Sequence, residues 1–277
     1  MTSAKAYAKL NLALVVGPLR SDDKHEVTTV LQAIDLHDDV ELEPADDLAV
    51  EGFEDDTLVG AALEALARAA GVEPRWRVRI EKRIPVAAGL GGGSSDAAAA
   101  LRLANGLLPD PLKLGRLHDL ATRLGADVPF FLRDGPQLGS GDGSELAPLT
   151  LPEGYVALVL LPSGESKEST ASVYRRFDER GGIDGFDERR AGLLAALEAV
   201  RRPIDLATLP MNDLASSPLA EELTRLGSFR ADVTGAGPAV YGLFEDEVEA
   251  RRAAASFRRA GSTLLARPVP GGRPRGR

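Results

Sequence analysis

The sequence predicts an α+β fold in two domains. Strand-type alternation and helix-type periodicity recur in both halves, and a proline- and glycine-bearing stretch at residues 151–155 separates them. A length of 277 residues suits this division, since domains run to about 100–200 residues. The expected boundaries are 1–152 and 153–267, followed by a tail at 268–277 whose Pro, Gly and Arg content predicts disorder.

Residues 4–16 alternate, with Ala6, Ala8, Leu10 and Leu12 on one face and Lys5, Tyr7, Lys9 and Asn11 on the other, which predicts a strand with one polar face. Residues 17–24 read as a loop, and 27–34, 39–43 and 48–50 as short strands or a mixed segment. An amphipathic helix is predicted over 57–70, ended by Gly71. Residues 76–84 alternate again and lead into a glycine loop, which opens into a helix over 94–107; another helix covers 113–124. A second glycine-rich piece lies at 135–143. In the second half, strands are predicted at 156–161, 229–234, 239–244 and 263–267, and helices at 170–178, 188–201, 218–226 and 247–259. No internal repeat is present.

Composition narrows the function. A net charge of −9 argues against a general nucleic-acid or anionic-membrane surface, so an anionic ligand must be met by local donors. The chain has no cysteine, which removes disulfides and thiolate chemistry. No apolar run approaches membrane-spanning length, and the expected location is the cytoplasm. Only six of the 33 basic residues are lysines, so a lysine inside a strand stands out.

The most informative stretch is Pro85-Val86-Ala87-Ala88-Gly89-Leu90-Gly91-Gly92-Gly93-Ser94-Ser95, followed by Asp96 and an alanine run. Glycines let backbone N–H groups turn toward an anion, and the next helix adds its unpaired first-turn donors and its positive dipole end. Ser94 and Ser95 suit the helix N-cap. A flexible linker is the bland alternative, but a linker would not open straight into a strong helix former. A Walker A motif is excluded because no Gly-Lys pair occurs, and the dinucleotide pattern fails because Ser94 stands at its final glycine.

These residues, together with Ala8-Lys9-Leu10-Asn11-Leu12, residues 125–131, Asn212-Asp213-Leu214 and Gly235-Ala236-Gly237-Pro238, resemble the GHMP kinases in family order over nearly the whole chain. Within that family the resemblance is to the branch whose acceptor bears a cytidine diphosphate. It implies an N-terminal ATP-binding domain like the second domain of ribosomal protein S5 and a ferredoxin-like C-terminal domain. The implied reaction is ATP-dependent phosphorylation of the 2-hydroxyl of 4-diphosphocytidyl-2-C-methyl-D-erythritol, in the non-mevalonate route to isoprenoids. ATP and Mg²⁺ are the expected cofactors, the partner is that small-molecule cytidyl alcohol, and a monomer or weak homodimer is expected.

By the same resemblance, residues 85–95 wrap the ATP phosphates, Asp127 is the catalytic base and Lys9 its partner. Asn11, His25 and Tyr174 are assigned to the acceptor, with Tyr174 stacking on the cytosine. Each has a structural alternative: a turn for Asp127, a solvated strand lysine for Lys9, an exposed loop histidine for His25, helix packing for Tyr174. Asp96 suits either Mg²⁺ or the helix first turn, so the metal ligands stay unassigned. The loop at Gly235 reads as a close backbone approach to the site or as a hairpin turn. Two departures concern the acceptor end: Lys24 and Leu31 stand where relatives carry aromatics, and residues 135–143 lack a basic residue often found there. Another GHMP acceptor (homoserine, mevalonate or a sugar) and a catalytically silent nucleotide binder therefore stay open as alternatives.

Overall fold

The computed structural model describes residues 1–53, 57–164 and 169–271. Two compact units share the chain: Met1–Ala8, Leu36–Val86 and Gly91–Asp134 form one, and Lys9–Asp35, Ala87–Leu90 and Gly135–Arg277 the other. This division does not follow the linear boundary expected at residue 152. Strands β1 (Thr2–Leu19) and β2 (His25–Pro44) are each long enough to pass from one unit into the other. The segments expected as separate strands at 27–34 and 39–43 are thus one strand. Residues 35–38, which lie between those segments, continue the strand, with Asp38 buried.

In the first unit, β3 (Ala49–Glu51) runs parallel to β4 (Trp76–Glu81), which pairs antiparallel with residues 39–44 of β2. Trp76, Val78 and Ile80 are buried while Arg77, Arg79 and Glu81 are exposed, the alternation a half-buried strand requires. Helix α1 (Thr57–Ala70) packs on α2 (Gly92–Leu107); Val59, Ala62, Leu63 and Leu66 of α1 are buried, and the consecutive alanines 97–100 show that α2 is buried on every side there. Helix α3 (Leu114–Leu124) and a 3-10 turn at Val128–Leu132 also contact this pair.

In the second unit, residues 29–31 of β2 pair with β5 (Gln137–Ser140), which forms a hairpin with β6 (Glu145–Pro148). The glycine-rich stretch is therefore half strand. Gly139 permits this, since a Cβ there would stand 3.0 Å from Gly143 O and from Thr29 Cγ2. The rest is an antiparallel sheet of β7 (Val156–Pro162), β8 (Arg230–Val233), β9 (Val240–Phe244) and β10 (Gly261–Ala266), in the order β10-β7-β9-β8. Among the helices α4 (Thr170–Glu179), α5 (Phe186–Ala199), α6 (Pro218–Arg225) and α7 (Glu247–Ser256), the last two cover this sheet, and Leu158, Leu160, Leu223, Phe244 and Ala253 form its core.

The expected disorder of the tail does not begin at residue 268. Pro268 bridges to Ile34, Val269 N–H donates to Ala33 O at 2.8 Å, and Gln32 Nε2 donates to Val269 O at 3.0 Å. Backbone pairing along β2 holds these residues in spite of their composition. Residues 272–277, the rest of that expectation, lie outside the described residues.

Candidate active site

The loop between β4 and α2 has left-handed backbone at every second position, with φ of 60° at Ala87, 84° at Gly89 and 74° at Gly91. Such alternation turns successive N–H groups toward a common side and suits an anion. Gly89 admits no side chain, because a Cβ would stand 2.6 Å from Thr234 O and 3.0 Å from Gly237 O. The same middle portion is held by Ala239 N–H donating to Ala88 O at 3.1 Å and by Lys9 N–H donating to Leu90 O at 2.9 Å. Gly91 is the N-cap of α2, without a side-chain cap. The expected capping by Ser94 or Ser95 is corrected: both lie inside the first turn, because the glycines carry the helix start upstream. A glycine at the N-cap offers no side-chain oxygen to the first-turn amides, which suits an anionic ligand there.

Lys9 and Asn11, both expected on the polar face of β1, come together: Lys9 Nζ donates to Asn11 Oδ1 at 2.6 Å, and the two residues are 3% and 4% exposed. An edge-strand lysine in solvent is therefore not what the fold contains. Asn11 is fixed from several directions. Its Nδ2 donates to Thr29 Oγ1 at 2.8 Å, its N–H to Thr234 Oγ1 at 3.1 Å, and its carbonyl accepts from Tyr241 OH at 3.1 Å. Burial pushes the Tyr241 hydroxyl up to about 12, so it stays a donor. Gly235, at φ 58°, borders this pair, and a Cβ there would meet Lys9 Nζ at 3.3 Å. Asn212 holds that turn, with Nδ2 donating to Gly235 O at 2.7 Å and Val233 O at 2.9 Å. Thr29, Thr234 and Tyr241 escaped sequence reasoning, since nothing in the spelling of a strand marks which of its hydroxyls will face a distant asparagine.

Asp127 is half-buried in the other unit and starts the 3-10 turn as its N-cap residue, with no side-chain cap bond to that turn. Behind it Val128, Pro129 and Phe130 are buried and anchor the turn.

His25 and Tyr174, taken from opposite ends of the sequence reading, stack at 4.9 Å between ring centres with 26° between planes. His25 is buried, with Nδ1 2.8 Å from Gly17 O, Nε2 3.4 Å from Asp178 Oδ2, and Phe177 edge-on at 6.0 Å. Beside it Lys24 pairs with Asp142. Burial alone would raise the Asp142 carboxyl, but Lys24 and the Ser144 hydrogen bonds outweigh it and hold it below the ordinary range. The lysine that replaces an aromatic thus meets an acid in the stretch that lacks the basic residue.

Asp96, one option for a metal ligand, is fully buried, with Oδ2 2.7 Å from Lys82 Nζ. Lys82 also lies 2.6 Å from Asp38. Among the described residues no group of three or more His, Cys, Asp or Glu is placed to hold a metal ion.

Two sequence profiles match this chain: the N-terminal domain of GHMP kinases over residues 57–135 and the C-terminal domain over residues 214–263. A 4-diphosphocytidyl-2-C-methyl-D-erythritol kinase of Pelotomaculum thermopropionicum is 38% identical over 95% of this chain and 96% of its own length. A protein of the same name from Kineococcus radiotolerans is 36% identical over 91% of this chain and 84% of its own. Among solved structures, a 4-(cytidine 5'-diphospho)-2C-methyl-D-erythritol kinase superposes with a TM-score of 0.77 at 32% identity, covering 98% of this chain and all of that one. A mevalonate kinase at 14% identity and a TM-score of 0.73 shares the fold. Full-length identity, both profiles and the fold agree that the chain belongs to the GHMP kinases, in the family of 4-diphosphocytidyl-2-C-methyl-D-erythritol kinases.

Proposed function

We propose that the chain transfers the γ-phosphoryl group of ATP to the 2-hydroxyl of 4-diphosphocytidyl-2-C-methyl-D-erythritol, a step of the non-mevalonate route to isoprenoids carried out in the cytoplasm. The observation that supports this best is the Lys9–Asn11 pair, buried and fixed against the backbone that holds the glycine loop. Phosphoryl transfer asks the protein for positioning and charge stabilisation more than for covalent chemistry. Residues 85–95 address the phosphates through backbone N–H groups and the start of α2. Asp127 accepts the proton of the attacking hydroxyl, and the Lys9 ammonium, oriented by Asn11, stabilises the charge that develops during transfer. His25 and Tyr174 receive the cytidyl end.

Mg²⁺ is expected to arrive with the nucleotide, where it neutralises phosphate charge. Asp96 is fully buried with its Oδ2 on the Lys82 ammonium, and the metal ligands stay unassigned.

A coupled ADP-release assay with a panel of alcohols tests the reading. Turnover with the cytidyl substrate, and little with homoserine, mevalonate or sugars, is expected. Preference for another alcohol would move the specificity, and no turnover with any acceptor would leave only nucleotide binding.

A further inference from the structure

Lys82 follows the last residue of β4, and its ammonium makes two short contacts: 2.6 Å to Asp38 Oδ2 and 2.7 Å to Asp96 Oδ2. Both carboxylates have no solvent exposure. The other oxygen of Asp38 accepts the N–H groups of Arg83 at 2.5 Å and Ile84 at 2.8 Å, the residues immediately before Pro85. Asp96 lies immediately after Ser95, in α2. One cation is therefore tied through Asp38 to the limb entering the phosphate loop and through Asp96 to the limb leaving it. Two further surfaces confine it. The Phe53 ring lies 5.5 Å from Nζ, and a Cβ on Gly92 would stand 3.3 Å from Nζ, so the ammonium abuts the first residue of α2.

Two buried carboxylates sharing a cation form a group in which the cation is indispensable. Without it, two buried like charges face each other, and removing one partner of a buried pair is strongly destabilising. Burial works against the ammonium, yet the bonds to Asp38 and Asp96 hold the Lys82 side chain above its ordinary lysine value, so it stays charged.

We propose that Lys82 is a positioning residue for ATP binding: it neutralises Asp38 and Asp96, holds the two limbs of the phosphate loop together, and keeps uncompensated negative charge away from the nucleotide's phosphates. This rests on the assignment of residues 85–95 to ATP. Lys82 acts through the loop, so its loss falls on the nucleotide and spares the acceptor.

The test combines calorimetric titration with ATP and steady-state kinetics on the full chain, for the wild type, Lys82→Met, Lys82→Arg and the double variant Lys82→Met with Asp96→Asn. Lys82→Met is expected to raise Kd and KM for ATP by about 10-fold or more while the acceptor KM stays unchanged. The double variant, which deletes one of the two stranded charges, recovers most of the ATP affinity. Wild-type ATP affinity in Lys82→Met, with only a lower Tm, would overturn the proposal. So would a double variant no better than the single one, since that would make Lys82 a direct ligand of the nucleotide. If Lys82→Met does not fold, Lys82→Arg decides. The guanidinium keeps the charge but is bulkier than the ammonium it replaces between Phe53 and Gly92 and so shifts the two limbs; a raised ATP KM beside an unchanged acceptor KM supports the proposal and an unchanged ATP KM overturns it. Failure of the wild type itself to bind ATP would instead remove the loop assignment.

Discussion

In the proposed reaction Asp127 is the base and Lys9 its partner, and the role of the base has a kinetic signature. Asp127→Asn keeps the shape of the side chain and removes the base, so kcat is expected to fall about 10²–10⁴-fold with an unchanged Tm; near-normal kcat would take the base away from Asp127. The stacked His25–Tyr174 pair is proposed for the acceptor instead. Tyr174→Ala is expected to raise the KM for the cytidyl substrate by the worth of a lost stack, about 1–3 kcal/mol, and to leave the KM for ATP alone. If both KM values rise together, Tyr174 serves packing. These residues were legible in different ways. Lys9 and Asn11 share a face by strand alternation alone, so their contact could be anticipated from spacing. His25 and Tyr174 lie far apart in the chain, and only a resemblance could put them in one site. Asp38 gave no signal at all, being one acid among 42 acidic residues until the fold buries it against Lys82.

At the scale of elements, helices were read more accurately than strands for a physical reason. Helix α1 starts and stops where its periodicity and Gly71 place it, because helical bonds are local. The β5–β6 hairpin and the continuous β2 depend on partners remote in sequence, and so does the ordering of Pro268 and Val269. The loop between β4 and α2 was recognised by composition, but its cap was misplaced because glycine at the N-cap is the less common choice beside two serines. Its geometry makes a sharp prediction. Gly89→Ala puts a Cβ 2.6 Å from Thr234 O at a φ of 84°, so denaturant unfolding should show a loss of about 1–3 kcal/mol together with a raised KM for ATP. Full stability with unchanged ATP binding would mean that this close approach is dispensable.

For the molecule as a whole, the division into two compact units joined by β1 and β2 explains why a linear boundary at residue 152 does not describe its packing. Within the second unit, Asp232 and Arg230 form a buried pair at 3.3 Å, and Asp232 accepts from Asn212 N–H, which places a titrating group behind the Gly235 turn. Burial raises the Asp232 carboxyl to about 6, against the opposing pull of Arg230. A pKa raised in the folded state stabilises below the ordinary carboxyl value and loses that stabilisation as pH rises through about 6. Comparing the wild type with Asp232→Asn between about pH 4 and pH 7, the balance should shift toward the variant by up to about 3 kcal/mol as pH increases. A constant difference across that range would show that Asp232 titrates as an ordinary carboxyl.

The most direct measurement follows from the acceptor's own chemistry, since the carbon that bears the 2-hydroxyl also bears the methyl branch and has no hydrogen. Phosphorus NMR of a reaction containing the protein, ATP, Mg²⁺ and 4-diphosphocytidyl-2-C-methyl-D-erythritol should therefore show a new phosphomonoester signal that no carbinol proton splits. A signal split by such protons would put the phosphate on another hydroxyl, and the absence of any new phosphomonoester would contradict the kinase reading itself.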